Sequence, residues 1–196
     1  PVKLSQRTAW SLSPSAWAQR VDAARRQGSI EIDLQVSNPT EVGLVHPPEL
    51  YAELARPGVE RYEPHPLGLP SARTAVADHY AVRGVRIDPQ RVWLTSGTSE
   101  AYGQLLTLLC DPGESVLVPA PGYPLLDVLG DLAGVRRRPY PLLLADGWRI
   151  DLDAVARSAA APDVRAILVV APGNPTGAYL DAAREALAPL ATGGSE

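Results

Sequence analysis

The sequence predicts an α/β fold of three layers, with helices on both faces of a mostly parallel sheet. Two observations predict it. From Arg91 onward, short apolar runs alternate with segments of helical spacing, the signature of strand–helix–strand units. The run Ile167–Val170 is apolar at every position, as expected of a strand covered on both faces. A length of 196 residues suffices for one domain with a real core, or for one and part of another.

The elements follow in chain order. Ser13-Pro14 and then "SAWAQRVDAARRQG" predict a capped helix closed by Gly28. "IEIDL" is a short strand candidate. "QVSNPTEVGLVHPP" has loop composition, and "PELYAELA" reads as a short helix. "RPGVERYEPHPLGLP" is a long irregular loop, which in a compact domain suggests a function. "SARTAVADHYAVR" has helical spacing at Ala72, Val76, His79 and Tyr80. "RVWLT" then predicts a strand, Gly97 a turn, and "SEAYGQLLTLLC" a helix with Ser99 as its N-cap. "DPGESVLVP" supplies a turn and a second strand, and "YPLLDVLGDLAG" a helix closed by Gly134. "VRRRPYPL" is a strand, "DLDAVARSAA" a helix, "VRAILVV" a strand and "DAAREALAPL" a final helix. The first 31 residues are expected to form an N-terminal arm, and residues 32–196 the main domain.

Composition narrows the function. Net charge is −4 and no basic face dominates, which argues against nucleic acid or an anionic membrane as partner. The densest basic run, Arg136-Arg137-Arg138, reads as a solvated strand end. Cys110 is the single cysteine, so no internal disulfide forms and a reducing compartment fits. No apolar stretch is long enough to span a bilayer, and no signal-peptide pattern opens the sequence. A cytoplasmic location is the expectation. No residues are assigned to a metal. Lys3 is the only lysine; every other basic side chain, histidines aside, is arginine.

In open α/β sheets, ligands bind at the carboxyl ends of the strands. Three loops leave such ends here, and all carry more than a turn requires. In Thr95-Ser96-Gly97-Thr98-Ser99-Glu100, a strand, a glycine, hydroxyls and a helix start would make an anion site, because the free N–H groups and the helix dipole favour negative charge. An ordinary N-cap explains the same residues. In Pro119-Ala120-Pro121-Gly122-Tyr123-Pro124 the prolines stiffen the loop, and Tyr123 could stack on a flat cofactor or simply be a half-buried first helical residue. In "APGNPTG", Asn174 before Pro175 is biased to an extended conformation, and the bond between them is a candidate for the cis form. Its amide could donate to a phenolate-like oxygen or a carboxylate. Good turn residues alone would also account for it.

Together the loops are far more specific. From about Ile32 to Leu190 the chain resembles the pyridoxal-phosphate-dependent aminotransferases of fold type I, class I/II, with the motifs in the family's order: "SNPTEVG", "RYEPHPLGLPSARTAVADHY", "VWLTSGTSEA", "PGYPLL" and "PGNPTG". The resemblance implies a large domain of that fold, incomplete in this chain, and pyridoxal 5′-phosphate as cofactor. It implies that Gly97, Thr98 and Ser99 cradle the phosphate, that Tyr123 stacks on the pyridine ring and that Asn174 bonds its phenolic oxygen. Tyr62 would reach the phosphate of a neighbouring subunit in a homodimer, and Asn38 would lie near the substrate carboxylate. Arg73-Thr74 stands where the family often has Leu-Arg, a departure expected to matter little.

The family's chemistry needs a lysine that forms a Schiff base with the cofactor aldehyde and then moves a proton. In the family that lysine lies well beyond the Asn-Pro-Thr-Gly motif, and so do the aspartate facing the ring nitrogen and the arginine for the substrate carboxylate. No catalytic residue is therefore assigned to this chain, which alone is expected to be inactive. As a piece of a longer enzyme, it would serve amino-group transfer between an amino acid and a 2-oxo acid. The alternatives are another reaction on the same scaffold, such as elimination, decarboxylation or cyclopropane-ring formation, and a non-catalytic dimerisation module.

Overall fold

Strands form where the apolar residues alternate between two helix layers. The computed structural model describes residues 2–33 and 38–179. Within it Ser115–Ala120 forms β1, the central strand. Strand β2, Arg136–Leu143, and strand β4, Val164–Ile167, both pair with it in parallel, one on each side. A two-residue strand β3, Arg149–Ile150, pairs antiparallel with the end of β2, giving the order β3-β2-β1-β4. The sheet is mostly parallel, as expected; β3, in the stretch "DGWRI", is too short to leave a period in the sequence.

The pleat of β1 sends successive side chains to opposite faces. Val116 packs with Leu106 and Cys110 of the segment that includes helix α4, Thr98–Leu109, and with Leu129 and Ala133 of helix α5, Leu125–Ala133. Leu117, wholly buried, packs on the other face with Tyr140 and with Val155 of helix α6, Leu152–Ala159. This is the three-layer arrangement. Short-range chemistry starts and stops the helices. Gly134 closes α5 with φ 73°, and the Asp151 carboxylate caps α6 by accepting from the N–H of Ala154 at 2.9 Å.

The contacts divide the chain into two compact units, residues 2–9 with 94–179, and Trp10–Trp93. The second unit holds helix α1, Ala16–Arg26, helix α2, Pro48–Ala52, and helix α3, Pro70–Ala81. Ser15 caps α1 and Gly28 follows it with φ 64°, as its sequence predicts. Arg73 of α3 is buried, and its guanidinium donates to the Pro89 carbonyl at 2.7 and 3.0 Å and to Gln90 Oε1 at 3.1 Å. Arg73 thus places a long donor-rich side chain in the interior of the unit, where it ties α3 to the turn at Pro89–Arg91.

Two element expectations are corrected, and a third falls outside the described residues. Residues 30–33 of "IEIDL" form no strand, because Ile32 is exposed and the Asp33 carboxylate is taken by Arg25 of α1 at 2.7 Å instead of a ladder. "RVWLT" joins no sheet among the described residues, although Val92 is extended (φ −94°, ψ 125°), since no strand lies beside it. The helix expected at 181–190 lies outside the described residues.

The basic run is not a free patch. Arg136 donates to the Gly113 carbonyl, Arg137 bridges Asp127 at 3.0 Å and Asp131 at 2.8 Å, and Arg138 grips Asp163 at 2.7 and 2.8 Å. Asp163 also accepts from the buried Ser115 hydroxyl at 2.8 Å, which sews β4 to the start of β1. The Ser115 hydroxyl above all, and then the Arg138 and Arg136 charges, hold the Asp163 carboxyl below its usual range. Nearer the carboxyl ends of the strands, the buried Tyr140 hydroxyl donates to the Leu168 carbonyl at 2.9 Å, pinning the chain just after β4.

Two outcomes are expected. Tyr140→Phe keeps the ring but strands the Leu168 carbonyl, and should lower stability by about 1–2 kcal/mol in urea unfolding. Burial raises the Tyr140 phenol to about 12, so this contribution is complete below its ordinary value near 10 and is lost as pH climbs from there. For Asp163 the sign is reversed. Its contribution is complete above the ordinary carboxylate range and is lost as pH falls through it, so Asp163→Asn should narrow the difference between urea midpoints at pH 7 and pH 3.

Candidate functional site

Parallel pairing of β1 with β4 brings their carboxyl ends to one edge of the sheet. The loop Pro121–Pro124 leaves β1 there, and the chain from Leu168 to Gly177 leaves β4. Helix α4 starts at the same edge. Its last turn, with Leu106, packs near the start of β1 at Val116 beside the last turn of α5, so α4 and α5 both run back along the sheet. Gly97, Thr98 and Ser99 therefore stand with Tyr123 and Asn174 at the carboxyl edge, where parallel α/β sheets bind ligands.

At the α4 terminus the N-cap is Gly97, two residues earlier than the Ser99 expected from the sequence, and no side chain makes a capping bond at that residue. Glu100 reaches past that residue. Its Oε2 accepts from the N–H of Ser96 at 2.6 Å and from the Ser96 hydroxyl at 2.7 Å. The carboxylate reaches back from the third helical position to the residue before the N-cap, and the first N–H groups of α4 keep no side-chain partner. These bonds, the Ser96 hydroxyl first and its N–H second, hold the Glu100 carboxyl below its usual range. Thr98 and Ser99 are exposed, and among the described residues neither hydroxyl has a hydrogen-bond partner. A helix terminus with free N–H groups and two free hydroxyls fits a phosphate by donor chemistry.

Tyr123 is half-buried in a rigid loop that begins with a cis Ala120–Pro121 bond. Gly122 is required there: a Cβ would lie 2.2 Å from the Pro119 carbonyl oxygen. A cleft of about 350 Å³ opens beside this loop, lined by Pro119, Ala120, Tyr123, Asp127 and Arg137 among others. Asn174 is exposed and its bond to Pro175 is cis, the form for which the sequence made it a candidate. The turn around it closes on itself, with Gly177 N–H donating to Gly173 O at 2.7 Å and Gly173 N–H to Ala178 O at 2.7 Å. Gly177 has φ 71°, a value that favours glycine.

Tyr62 and Asn38 belong to the other unit. Tyr62 is 89% exposed. Asn38 caps a short turn, Pro39–Val42, by accepting from the Thr40 N–H at 3.1 Å and hydroxyl at 2.7 Å, and it donates to Glu41 at 3.3 Å. Gln6 and Arg7, three and four residues after the exposed Lys3, line a depression with Gly134 and Arg136 at the amino ends of the strands. Glu100 is the functional candidate that sequence reading left without a role, and the spacing Ser96-x-x-x-Glu100 is the signal that could have found it. Among the described residues there is no cluster suited to a metal ion, and no helix is long and apolar enough to cross a membrane.

Comparison with known proteins bears on the whole arrangement. The family model for aminotransferase class I and II matches residues 32–191. Glutamate-pyruvate aminotransferase AlaA of Escherichia coli (strain K12) is 33% identical over 155 residues, covering 78% of this chain and 38% of that protein. LL-diaminopimelate aminotransferase of Moorella thermoacetica is 36% identical over 166 residues, covering 83% and 42%. The solved alanine aminotransferase of Pyrococcus furiosus superposes with a TM-score of 0.77 at 29% identity, over 96% of this chain and 49% of that one. The chain spans less than half the length of these relatives.

One consequence of the loop geometry is open to test. Gly122→Ala should displace the loop or the Pro119 peptide, costing about 1–3 kcal/mol in urea unfolding, with amide chemical-shift changes centred on residues 118–126. An unchanged urea midpoint and spectrum would contradict the close approach.

Proposed function

The chain belongs to the class I and II aminotransferases, and from that premise we propose that the whole protein transfers an amino group between an amino acid and a 2-oxo acid using pyridoxal 5′-phosphate, this chain supplying the phosphate- and ring-binding part of the site. The observation that carries the reading is the pair of free, exposed hydroxyls, Thr98 and Ser99, at a helix terminus on the same sheet edge as Tyr123 and Asn174.

The cofactor, when bound, supplies the electron sink for the reaction at the amino acid's Cα. The residues of this chain bind and orient it. The N–H groups and hydroxyls at Thr98 and Ser99, with the turn at Gly97, donate to the phosphate, whose charge the α4 dipole favours. Tyr123 covers one face of the ring and excludes water from it. The Asn174 amide donates to the phenolic oxygen and so favours its anionic form. Tyr62 serves the phosphate of a second subunit in a homodimer, and Asn38 lies near the substrate carboxylate. The location is cytoplasmic.

The lysine that would form the Schiff base and move the proton has no counterpart beside these loops among the described residues. Lys3, the single lysine, is exposed and lies three residues before Gln6, which lines the depression at the amino ends of the strands. The 196-residue chain with pyridoxal 5′-phosphate is therefore expected to bind it weakly and reversibly, to carry no label after borohydride reduction and mass mapping, and to turn over no amino acid with 2-oxoglutarate. Stoichiometric labelling of Lys3 together with turnover would overturn the reading.

A further inference from the structure

Glu100 sits in the first turn of α4, one residue past the two free hydroxyls, and both oxygens of its carboxylate are occupied. Oε2 accepts from the Ser96 N–H at 2.6 Å and hydroxyl at 2.7 Å, and Oε1 from Gln104 Nε2 at 3.1 Å, one turn further along the helix. The side chain therefore spans from the residue before the N-cap to the second turn. We propose that Glu100 is a positioning residue for the phosphate site, holding Ser96 back against α4 so that the donors of Thr98 and Ser99 stay assembled and free. The proposal rests on the reading of this turn as the phosphate site.

A carboxylate beside a phosphate could act in the opposite sense, by repulsion or by competing for the same donors. The geometry favours the bracing role. The donors that Glu100 takes belong to Ser96, outside the helix, and not to Thr98 or Ser99. Without the brace, the Ser96–Gly97 segment has few other ties: Thr95 Oγ1 donates to Gly97 O at 3.1 Å, and the Ala101 N–H donates to the same carbonyl at 3.2 Å. An anion that must order this loop as it binds loses affinity to the loop's conformational entropy, whereas a preassembled loop avoids that loss. Repulsion between exposed charges is weakened by water and salt.

The two senses separate by substitution. The full chain and its Glu100→Ala, Glu100→Gln and Glu100→Asp variants are titrated with pyridoxamine 5′-phosphate and with unphosphorylated pyridoxamine, binding being followed by amide chemical shifts and folding by thermal unfolding. Glu100→Ala should weaken the phosphorylated ligand by about tenfold and leave pyridoxamine unchanged, while Glu100→Gln, which still accepts from Ser96, should stay within about threefold of wild type. Glu100→Asp keeps the charge but is one methylene too short, and should weaken binding as alanine does. Tighter or unchanged binding of pyridoxamine 5′-phosphate by Glu100→Ala would overturn the proposal, and so would an equal loss for both ligands. If the wild-type chain does not distinguish the two ligands, the phosphate reading of the turn itself fails, and the proposal with it.

Discussion

Burial of β1 on both faces is the constraint on which the rest of the described sheet depends. Val116 is taken by α4 and α5, Leu117 by Tyr140 and Val155, and neither can exchange faces without reversing the register of the whole strand. Because β2 and β4 flank β1 in parallel, each crossover must return the chain to the amino edge before a new strand can start. The turns rich in glycine and proline are thereby left at the carboxyl edge. The candidate site is a by-product of this wiring: Tyr123 follows β1, Asn174 follows β4, and α4 delivers Thr98 and Ser99 to the same edge because it must run back to start β1.

The two edges of the sheet are held by different chemistry. The amino edge is ionic, with Arg138, Asp163 and Ser115 joining the starts of three adjacent strands. Toward the carboxyl edge, a buried neutral bond from Tyr140 to the Leu168 carbonyl fixes the chain six residues before Asn174. Nearer the candidate site the Glu100 carboxylate and the Asp127–Arg137 pair also have partners of their own, and the first N–H groups of α4 keep no side-chain partner. A net charge of −4 does not oppose the proposed anion site: short-range donors and the α4 dipole decide the local field, while the net charge acts over distances that salt screens.

Much of this was legible in the residues. β1, β2, α5 and α6 follow from apolar period and from Ser, Asp and Gly at their ends, because those signals are local. Asn174–Pro175 and the glycines around it were legible because turns are also local. What could not be read is what depends on partners. The extended run at Val92 carries a strand's composition but finds no neighbouring strand among the described residues, and β3 exists only because β2 is there to pair with it. Arg73 looks like a surface helix residue until the carbonyl of Pro89 is brought beside it. Ser99 precedes a helical run and so has a cap's composition, yet the helix begins two residues earlier, with Gly97 as its N-cap.

The exposure of Thr98, Ser99 and Asn174 bears on what this part of an aminotransferase can do. In water, each donor at the α4 terminus competes with solvent, and a bond to a charged acceptor contributes only about 1.5–3 kcal/mol. Ordering and lost translational freedom cost a comparable sum, so such a turn selects a phosphate without holding it tightly. Enclosed in a site from which water is excluded, the same donors act in a lower dielectric and gain strength. Selection and retention are therefore separable: a pattern of exposed donors can select an anion, whereas strong retention requires that water be excluded from the same donors.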